Sequence, residues 1–139
     1  MTEPVWVLPE AVRALHERLL SEFGGASGVR DEGMLESALS RPGNQFSYGS
    51  PTIHELAAAY AFGFVRNHPF VDGSKRIGFA TAILFLEING YRFSAGEVDV
   101  TVQTLALAAH ELDEGGYAAW LTKNSAPVRK HSKKTPGKS

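Results

Sequence analysis

HPFVDGSKRIGFATAILFLEING, residues 68–90, is the stretch of sequence that determines the fold we predict. Its second part, Lys75 to Ile88, is apolar on nearly every side of a helix, and Asn89-Gly90 supplies a stop. A helix that is apolar all round belongs at the centre of a domain. Its first part contains Pro69, which pushes the preceding residue out of the helical region. The stretch therefore predicts a loop from His68 that leads into the N-terminus of a buried central helix.

The sequence before this stretch shows apolar residues at helical spacing, which predicts two helices separated by glycines. The first begins at Leu8-Pro9-Glu10 and ends at Gly24-Gly25, and its core-facing residues are Val12, Leu15, Leu19 and Phe23. The second is capped by Asp31 and runs through Leu39, with Met34, Leu35 and Ala38 facing the core. Arg41-Pro42-Gly43 is expected to end it, and residues 41–51 are expected to form a loop.

Two capping boxes mark the starts of further helices. Thr52 with Glu55 opens a helix that reaches about Asn67, and Ser94 with Glu97 opens another that reaches about residue 109. A last amphipathic segment spans residues 113–123, and period-two alternation occurs only near residues 91–93. We therefore predict an all-α fold, a compact bundle of about six helices around the buried central helix.

The composition indicates one domain followed by a basic tail. The chain has 139 residues, of which 43% are apolar, and it contains no cysteine, so disulfides and thiolate metal sites are excluded. Six of the 14 basic residues lie from Lys123 onward, so the other eight stand against all 15 acidic residues, a formal balance of −7. We expect a helical domain over residues 1–123 and a disordered basic tail over residues 124–139.

The charge distribution and the N-terminus also bear on the class of protein. An acidic body is a poor nonspecific binder of nucleic acid, because phosphate contacts need clustered Lys and Arg. The N-terminal residues MTEPVWVLPE do not have the pattern of a signal peptide, and no apolar run is long enough to span a membrane. We expect a cytoplasmic protein that binds neither membrane nor nucleic acid directly.

The loop before the central helix combines four kinds of chemistry in residues 68–76. The N–H groups of a first helical turn have no intrahelical partners, and with the helix dipole they form an anion site at Gly73, Ser74 and Lys75. Lys75 and Arg76 add two positive charges for phosphate oxygens. Asp72 is a hard oxygen ligand suited to magnesium shared with a nucleotide, and His68 can act as a general base for a hydroxyl. This combination indicates phosphoryl or nucleotidyl transfer.

Each of these residues also has a purely structural interpretation. His68 can be a structural hydrogen-bonding residue, Asp72 a helix cap, and Lys75 with Arg76 a solvated first turn. Phe70 is expected to be a core anchor that holds the loop in place. The combination of a base, a metal ligand and paired cations at one helix N-terminus favours the functional interpretation.

The motif resembles that of the Fic/Doc superfamily. Fic proteins carry approximately His-Pro-Phe-x-x-Gly-Asn-Gly-Arg, and Doc toxins carry His-x-Phe-x-Asp-Ala-Asn-Lys-Arg. This chain follows the Doc pattern at His68, Phe70, Asp72, Lys75 and Arg76. Segments 24–25, 28–31, 35–39, 57–67 and 85–91 are also similar to Doc-type proteins, so the resemblance covers most of residues 10–122.

The resemblance implies an activity, cofactors and partners. Doc toxins phosphorylate elongation factor Tu with Mg-ATP, arrest translation and are held inactive by a small antitoxin protein. Carried over, His68 is the base, Asp72 the magnesium ligand, and Gly73, Ser74, Lys75 and Arg76 the residues that hold the nucleotide phosphates. Phe46 and Tyr48 lie in the region that positions the target protein in the superfamily; a packed surface loop is the other interpretation of that segment.

Two alternatives to a Doc-type kinase remain open. Fic adenylyl transferases carry glycine where this chain has Lys75, but His68-Pro69-Phe70 and Gly73 are Fic-like, so transfer of an adenylyl group to a protein hydroxyl is the first alternative. Both branches carry asparagine where this chain has Ser74, which is shorter and lacks the amide. The second alternative is therefore an attenuated or inactive binding module. No Fic-type inhibitory helix is placed convincingly in the sequence, so inhibition is expected from a separate partner.

Overall fold

The computed structural model describes residues 2–128, which form six helices and one two-stranded antiparallel sheet. The helices are α1 (Pro9–Phe23), α2 (Glu32–Tyr48), α3 (Ile53–Asn67), α4 (Ser74–Ile88), α5 (Glu97–Ala108) and α6 (Glu114–Lys123). The strands are β1 (Tyr91–Phe93) and β2 (Ser125–Pro127), paired so that Arg92 lies opposite Ala126. The predicted helical fold class is confirmed.

Local sequence signals set most of the helix starts. Thr52 Oγ1 accepts a hydrogen bond from Glu55 N at 3.1 Å, and Thr52 N donates to Glu55 Oε1 at 2.8 Å, so the predicted capping box of α3 is present. Asp31 caps α2 by accepting from Met34 N at 3.0 Å. Pro9 stands at the first position of α1, where its missing N–H costs nothing.

Helix α3, rather than α4, occupies the centre of the bundle. Nine residues of α3 are buried against seven of α4, and α3 packs against α2, α4, α5 and α6. The reason is the run of small residues in α3, Ala57 to Ala59, Ala61 and Gly63, which lets neighbouring backbones approach it closely. Ile83 and Leu84 of α4 are only half-buried. The prediction that residues 75–88 form the most buried helix is therefore wrong, although α4 packs directly on the helix that is.

Helix α2 continues through Arg41-Pro42-Gly43, which we expected to end it, and the predicted loop over residues 41–51 is helical as far as Tyr48. A proline inside a helix removes one backbone hydrogen bond and crowds the preceding turn. Pro42 is buried here, and the helix passes through it. The prediction was wrong because it considered only the local cost of proline.

Contacts with distant elements hold the last turns of α2. Arg41 Nη2 donates to Glu114 Oε1 at 2.5 Å, and Gln45 Nε2 donates to Glu114 Oε2 at 2.9 Å. The ring of Phe46 packs edge-on against Trp6, with 5.8 Å between ring centroids. These contacts join α2 to α6 and to the N-terminal segment. Their stabilisation of the last turns of α2 offsets the loss of the backbone hydrogen bond that Pro42 removes.

Three further predictions are corrected by the structure. The N-cap residue of α5 is Gly96, which has no side chain to cap the helix, so the predicted capping box of Ser94 with Glu97 is wrong. Ser94 N instead donates to Asn124 O at 2.8 Å. Phe23 is 63% exposed and Met34 is 40% exposed, so neither faces the core as predicted. Phe23 is the last residue of α1, and Met34 lies at the edge of the buried stripe of α2.

The predicted tail, residues 124–139, begins with structured residues. Strand β2 pairs antiparallel with β1, and Val128 N donates to Gly90 O at 2.7 Å just beyond the two strands. The folded part therefore reaches beyond residue 123, and residues 129–139 lie outside the described range. No helix within residues 2–128 has the length and apolarity needed to cross a membrane.

Close packing of α4 on α3 predicts opposite effects for two glycine substitutions. A Cβ on Gly78 would lie 2.9 Å from Val65 Cγ2 and 3.1 Å from Ala61 O, so Gly78→Ala should lower the free energy of unfolding by about 1–3 kcal/mol. Gly43 lies inside α2 with nothing within 4 Å of an added Cβ, so Gly43→Ala should raise it by about 0.5–1 kcal/mol. Urea denaturation measures both. A destabilised Gly43→Ala would contradict the continuous helix α2.

Candidate functional site

His68 lies in the turn that ends α3. Its backbone is left-handed, with φ 49° and ψ 57°, and its N–H donates to Phe64 O at 3.2 Å. Pro69 prevents the helix from continuing, so the chain leaves α3 at this point. The side chain of His68 is exposed. The imidazole is therefore accessible to a substrate at the mouth of the loop that leads to α4.

The environment of His68 favours its neutral form. Partial burial of the otherwise exposed imidazole lowers the pKa of His68 below its ordinary value, and the positive charges of Lys75 and Arg30 lower it further. A neutral imidazole at physiological pH can accept a proton, as a general base must.

A strap formed by residues 28–31 runs along the motif and holds its backbone. Val71 N donates to Gly28 O at 3.1 Å, and Val29 pairs with Phe70 in an isolated antiparallel bridge. Arg30 N donates to Pro69 O at 2.7 Å, so the bonds run in both directions along the strap. This β-like pairing fixes a segment that has no regular structure of its own.

Phe70 lies in the core between two other rings. It is 3% exposed, its ring stacks on His16 at 3.7 Å between centroids, and it lies 6.2 Å from Phe64. His16 is itself buried, and its Nε2 donates to Asp72 O at 2.7 Å. Helix α1 therefore anchors the motif through one side chain that stacks on Phe70 and bonds to the backbone of Asp72.

His16 is a functional support that we did not predict from the sequence. It lies four residues after Val12 and four before Leu20, so it occupies the apolar stripe of α1. A histidine at a core position of a helix must find a hydrogen-bond partner. That signal was present in the sequence, but its partner, a backbone carbonyl 56 residues away, is apparent only in the structure.

Asp72 is exposed, and a glycine turn holds its carboxylate. Ala26 N donates to Asp72 Oδ2 at 2.7 Å. Gly25 has φ 124°, and a Cβ there would lie 3.2 Å from Asp72 Cβ. Gly24-Gly25 thus ends α1 and also lets the chain pass close enough for the next N–H to reach this carboxylate. Within residues 2–128 the other oxygen, Oδ1, has no hydrogen bond, which leaves it able to bind a cation.

The N-terminus of α4 presents uncapped N–H groups. Its N-cap residue, Gly73, has left-handed backbone with φ 82° and no side chain to cap the first turn. A left-handed residue before a helix makes successive N–H groups converge, a geometry that binds anions. Lys75 and Arg76 are both exposed here, and the guanidinium of Arg76 lies 4.4 Å from the ring centroid of Phe23. The exposed Phe23 thus orients one of the two cations.

Ser74 occupies the first position of α4 and points inward. It is 6% exposed, and its Oγ is buried without a hydrogen-bond partner. The hydroxyl therefore neither caps the helix nor reaches the surface where the exposed side chains of Lys75 and Arg76 lie. Any contribution of Ser74 to phosphate binding in this conformation comes from its backbone N–H.

Phe46 and Tyr48, the predicted target-docking residues, lie on the last turns of α2. Phe46 packs on Trp6, which stacks on Phe85 of α4 at 5.8 Å. Phe85 is 11 residues after Ser74, which is roughly 16 Å along the helix. Tyr48 is 91% exposed. Phe46 thus lies toward the other end of α4 from the motif, and a role of Phe46 and Tyr48 in docking remains a prediction.

The structure brings together the base, the carboxylate and the cations that the sequence predicted. The exposed His68, whose pKa is lowered, begins the loop that carries Asp72 and ends at the helix N-terminus with Gly73, Lys75 and Arg76. Such an arrangement can bind the phosphates of a nucleotide and remove a proton from a hydroxyl beside them. Among residues 2–128, no three His, Asp or Glu side chains cluster to hold a metal ion by themselves.

Comparison with known proteins gives one family match, which includes this motif, and two similar relatives. A profile described as "Fic/DOC family" matches residues 6–86, more than half of the chain. The "Protein kinase doc" of Escherichia phage P1 is 35% identical over 99 residues, which cover 69% of this chain and 79% of that protein. The "Toxin Doc" of Mycolicibacterium smegmatis (strain ATCC 700084 / mc(2)155) is 43% identical over 76 residues, which cover 52% of this chain and 58% of that protein.

The anchoring role of His16 predicts a loss of stability when its donor is removed. His16→Phe keeps an aromatic ring against Phe70 but leaves the carbonyl of Asp72 without its partner, so the free energy of unfolding should fall by about 1–3 kcal/mol. His16→Gln, which retains a donor, should lose less of the hydrogen-bond contribution. Urea denaturation of both variants measures this. Equal stability of His16→Phe and wild type would contradict the anchoring role.

Proposed function

This chain belongs to the Fic/Doc family, and we propose that it is the toxin of a toxin–antitoxin system that transfers a phosphate from ATP to a hydroxyl of elongation factor Tu. The observation that carries the proposal is the exposed His68 in the loop that leads to the cationic N-terminus of α4, where Lys75 is one of the charges that lower its pKa. The names of the two relatives, a protein kinase and a toxin, support the same assignment. Lys75, where Fic adenylyl transferases carry glycine, favours phosphate over adenylyl transfer.

In the proposed reaction His68 accepts the proton of the acceptor hydroxyl. The hydroxyl oxygen forms a bond to the terminal phosphorus of ATP, the bond from that phosphorus to the bridging oxygen breaks, and ADP leaves with the bonding electrons. The first-turn N–H groups of α4 with Lys75 and Arg76 bind the phosphate oxygens and stabilise their charge. The imidazolium of His68 then releases its proton to solvent, which its lowered pKa favours.

The residues present fit a nucleotide with magnesium. Mg²⁺ is commonly held by one or two carboxylates together with phosphate oxygens and water, and Asp72 offers one such carboxylate with Oδ1 available within the described residues. Bound there, the ion would neutralise charge on the nucleotide phosphates. Ala26 N holds this carboxylate through Oδ2.

The proposed partners follow from the proposed reaction. The toxin would meet elongation factor Tu in the cytoplasm, and a small antitoxin protein would keep it inactive until release. The acidic balance of residues 1–122 argues against direct binding of nucleic acid. Lys75 and Arg76 at one helix N-terminus do not form the extended basic surface that such binding needs.

Position-specific labelling of ATP tests the transferred group. With purified protein, magnesium and elongation factor Tu, a label on the terminal phosphate should appear on the factor, and a label on the α-phosphate should not. Intact-mass analysis of the factor checks the same point, because phosphate and adenylyl additions differ greatly in mass. His68→Ala should reduce the rate about 100- to 10,000-fold, the usual contribution of a general base.

Other outcomes of this experiment select the alternatives. Transfer of the α-phosphate label would overturn the kinase assignment and establish adenylyl transfer. No transfer by a folded protein, together with undiminished toxicity of His68→Ala in cells, would identify a binding module. Activity should also fall as the pH drops through the lowered pKa of His68, because the imidazole is then protonated and cannot act as a base.

The buried hydroxyl of Ser74 predicts a gain of activity on restoring the family's asparagine. In Ser74→Asn the longer side chain would turn outward from the buried position of the serine hydroxyl to bring its amide to the phosphate, and this hydrogen bond to a charged group should raise the transfer rate about tenfold or more. Ser37→Asn, at an exposed serine of α2, is the matched control and should leave the rate unchanged. A Ser74→Asn protein that folds normally without a faster rate would show that serine attenuates nothing.

A further inference from the structure

Arg30 makes a second set of contacts to the motif, through its side chain. Its Nε donates to His68 O at 2.7 Å, and its Nη2 donates to Asn67 O at 2.9 Å. Both carbonyls belong to the C-terminal turn of α3, where backbone acceptors have no further helical partner. The planar guanidinium meets two adjacent carbonyls with two nitrogens, a geometry that a lysine does not reproduce.

These contacts act on a residue in an unfavourable conformation. His68 has φ 49° without being glycine, and such a backbone persists only when the surroundings hold it. Pro69 blocks the helical alternative, and Arg30 binds the carbonyl of His68 itself while its own N–H binds the carbonyl of Pro69 at 2.7 Å. The guanidinium therefore fixes the peptide on the C-terminal side of His68, and with it the direction of the imidazole.

We propose that Arg30 is a positioning residue for His68: its guanidinium clamps the carbonyls of Asn67 and His68, holds the left-handed turn, and so fixes the direction in which the exposed imidazole leaves the loop before α4. The proposal rests on the proposed function for its catalytic consequence. Arg30 itself binds neither nucleotide nor acceptor in this account, so its effect is on the rate of transfer rather than on the affinity for ATP.

Arg30 contributes to the base in a second, separable way. Its charge is one of the two that lower the pKa of His68, and Lys75 on α4 is the other. The strap and α4 thus each bring one cation to the imidazole. Substitution by lysine retains the positive charge and loses the two-pronged contact, whereas substitution by glutamine loses the charge and most of the contact.

Three variants of the full chain separate these contributions. They are Arg30→Lys, Arg30→Gln and, as a matched control, Arg13→Gln. Arg13 is an exposed arginine of α1 whose partner is Glu32 at 2.9 Å, and it makes no hydrogen bond to the motif. Because Arg30 and Arg13 are both exposed, all three proteins should fold, which thermal unfolding checks.

Two NMR measurements report on His68 without any need for activity. In Arg30→Gln the pKa of His68, followed by the Cε1–H signal, should rise relative to wild type, and in Arg30→Lys it should stay close to wild type. The amide of His68 should exchange faster with deuterium in both variants, because the turn is less constrained. Arg13→Gln should match wild type in both measurements.

Kinetics with labelled Mg-ATP and elongation factor Tu give the catalytic consequence. For Arg30→Gln, kcat should fall about tenfold to a hundredfold with KM for ATP unchanged, the expected effect of a misplaced group. The acid limb of its pH–rate profile, where the rate rises as His68 loses its proton, should move to higher pH, because the pKa of His68 is higher without the charge of Arg30. For Arg30→Lys, kcat should fall while the acid limb stays in place.

The outcomes distinguish failure of this inference from failure of the proposed function. If Arg30→Gln shows wild-type titration and wild-type amide exchange at His68, the positioning role is overturned whatever the transfer assay gives. If the wild type transfers no phosphate to the factor, the proposed function fails, and the two NMR measurements still decide whether Arg30 positions His68. A rise in KM for ATP without a change in kcat would also overturn the proposal, because it would assign Arg30 to nucleotide binding.

Discussion

The turn at His68 and Pro69 is the constraint on which the rest of the structure depends. Pro69 cannot continue α3, and His68 adopts a left-handed conformation that releases the chain toward α4. Because the loop is only six residues long, α4 must pack directly on α3, which Gly78 permits by close approach to Val65 and Ala61. The same turn leaves the imidazole of His68 at the surface near the first turn of α4. One backbone feature thus sets both the packing of the two most buried helices and the geometry of the site.

The rest of the fold supports this loop from several sides. Helix α1 contributes His16, which stacks on Phe70 and binds the carbonyl of Asp72. The glycine turn after α1 brings Ala26 N to the carboxylate of Asp72, and the strap formed by residues 28–31 pairs with the motif backbone. A site that carries out chemistry needs such support, since small misplacements of reacting groups are costly in rate. The segment between α1 and α2 therefore holds the motif loop in place, although it contains none of the residues proposed to touch a nucleotide.

Electrostatics separate the site from the rest of the surface. Residues 1–122 carry a formal balance of −7, yet Lys75, Arg76 and Arg30 concentrate positive charge at the motif. A local cationic site at a helix N-terminus suits a compact polyanion such as a nucleotide's phosphates. After partial burial of the imidazole, Lys75 and Arg30 also lower the pKa of His68, so Lys75 both adds charge to the proposed phosphate site and favours the neutral imidazole.

The sequence alone determined the helical class, the start of α3 at its capping box, the break at His68-Pro69 and the residues of the motif, because caps, prolines and apolar periodicity act over a few residues. It did not determine that α2 continues through Pro42, since the contacts of Arg41 and Gln45 with Glu114 that hold it come from α6. It also did not reveal that α3 is the central helix, that Ser74 points inward, or that His16 and Arg30 hold the loop. Those facts depend on which distant segments meet once the chain is folded. Burial and long-range hydrogen bonds are properties of that packing, and only the tertiary structure decides them.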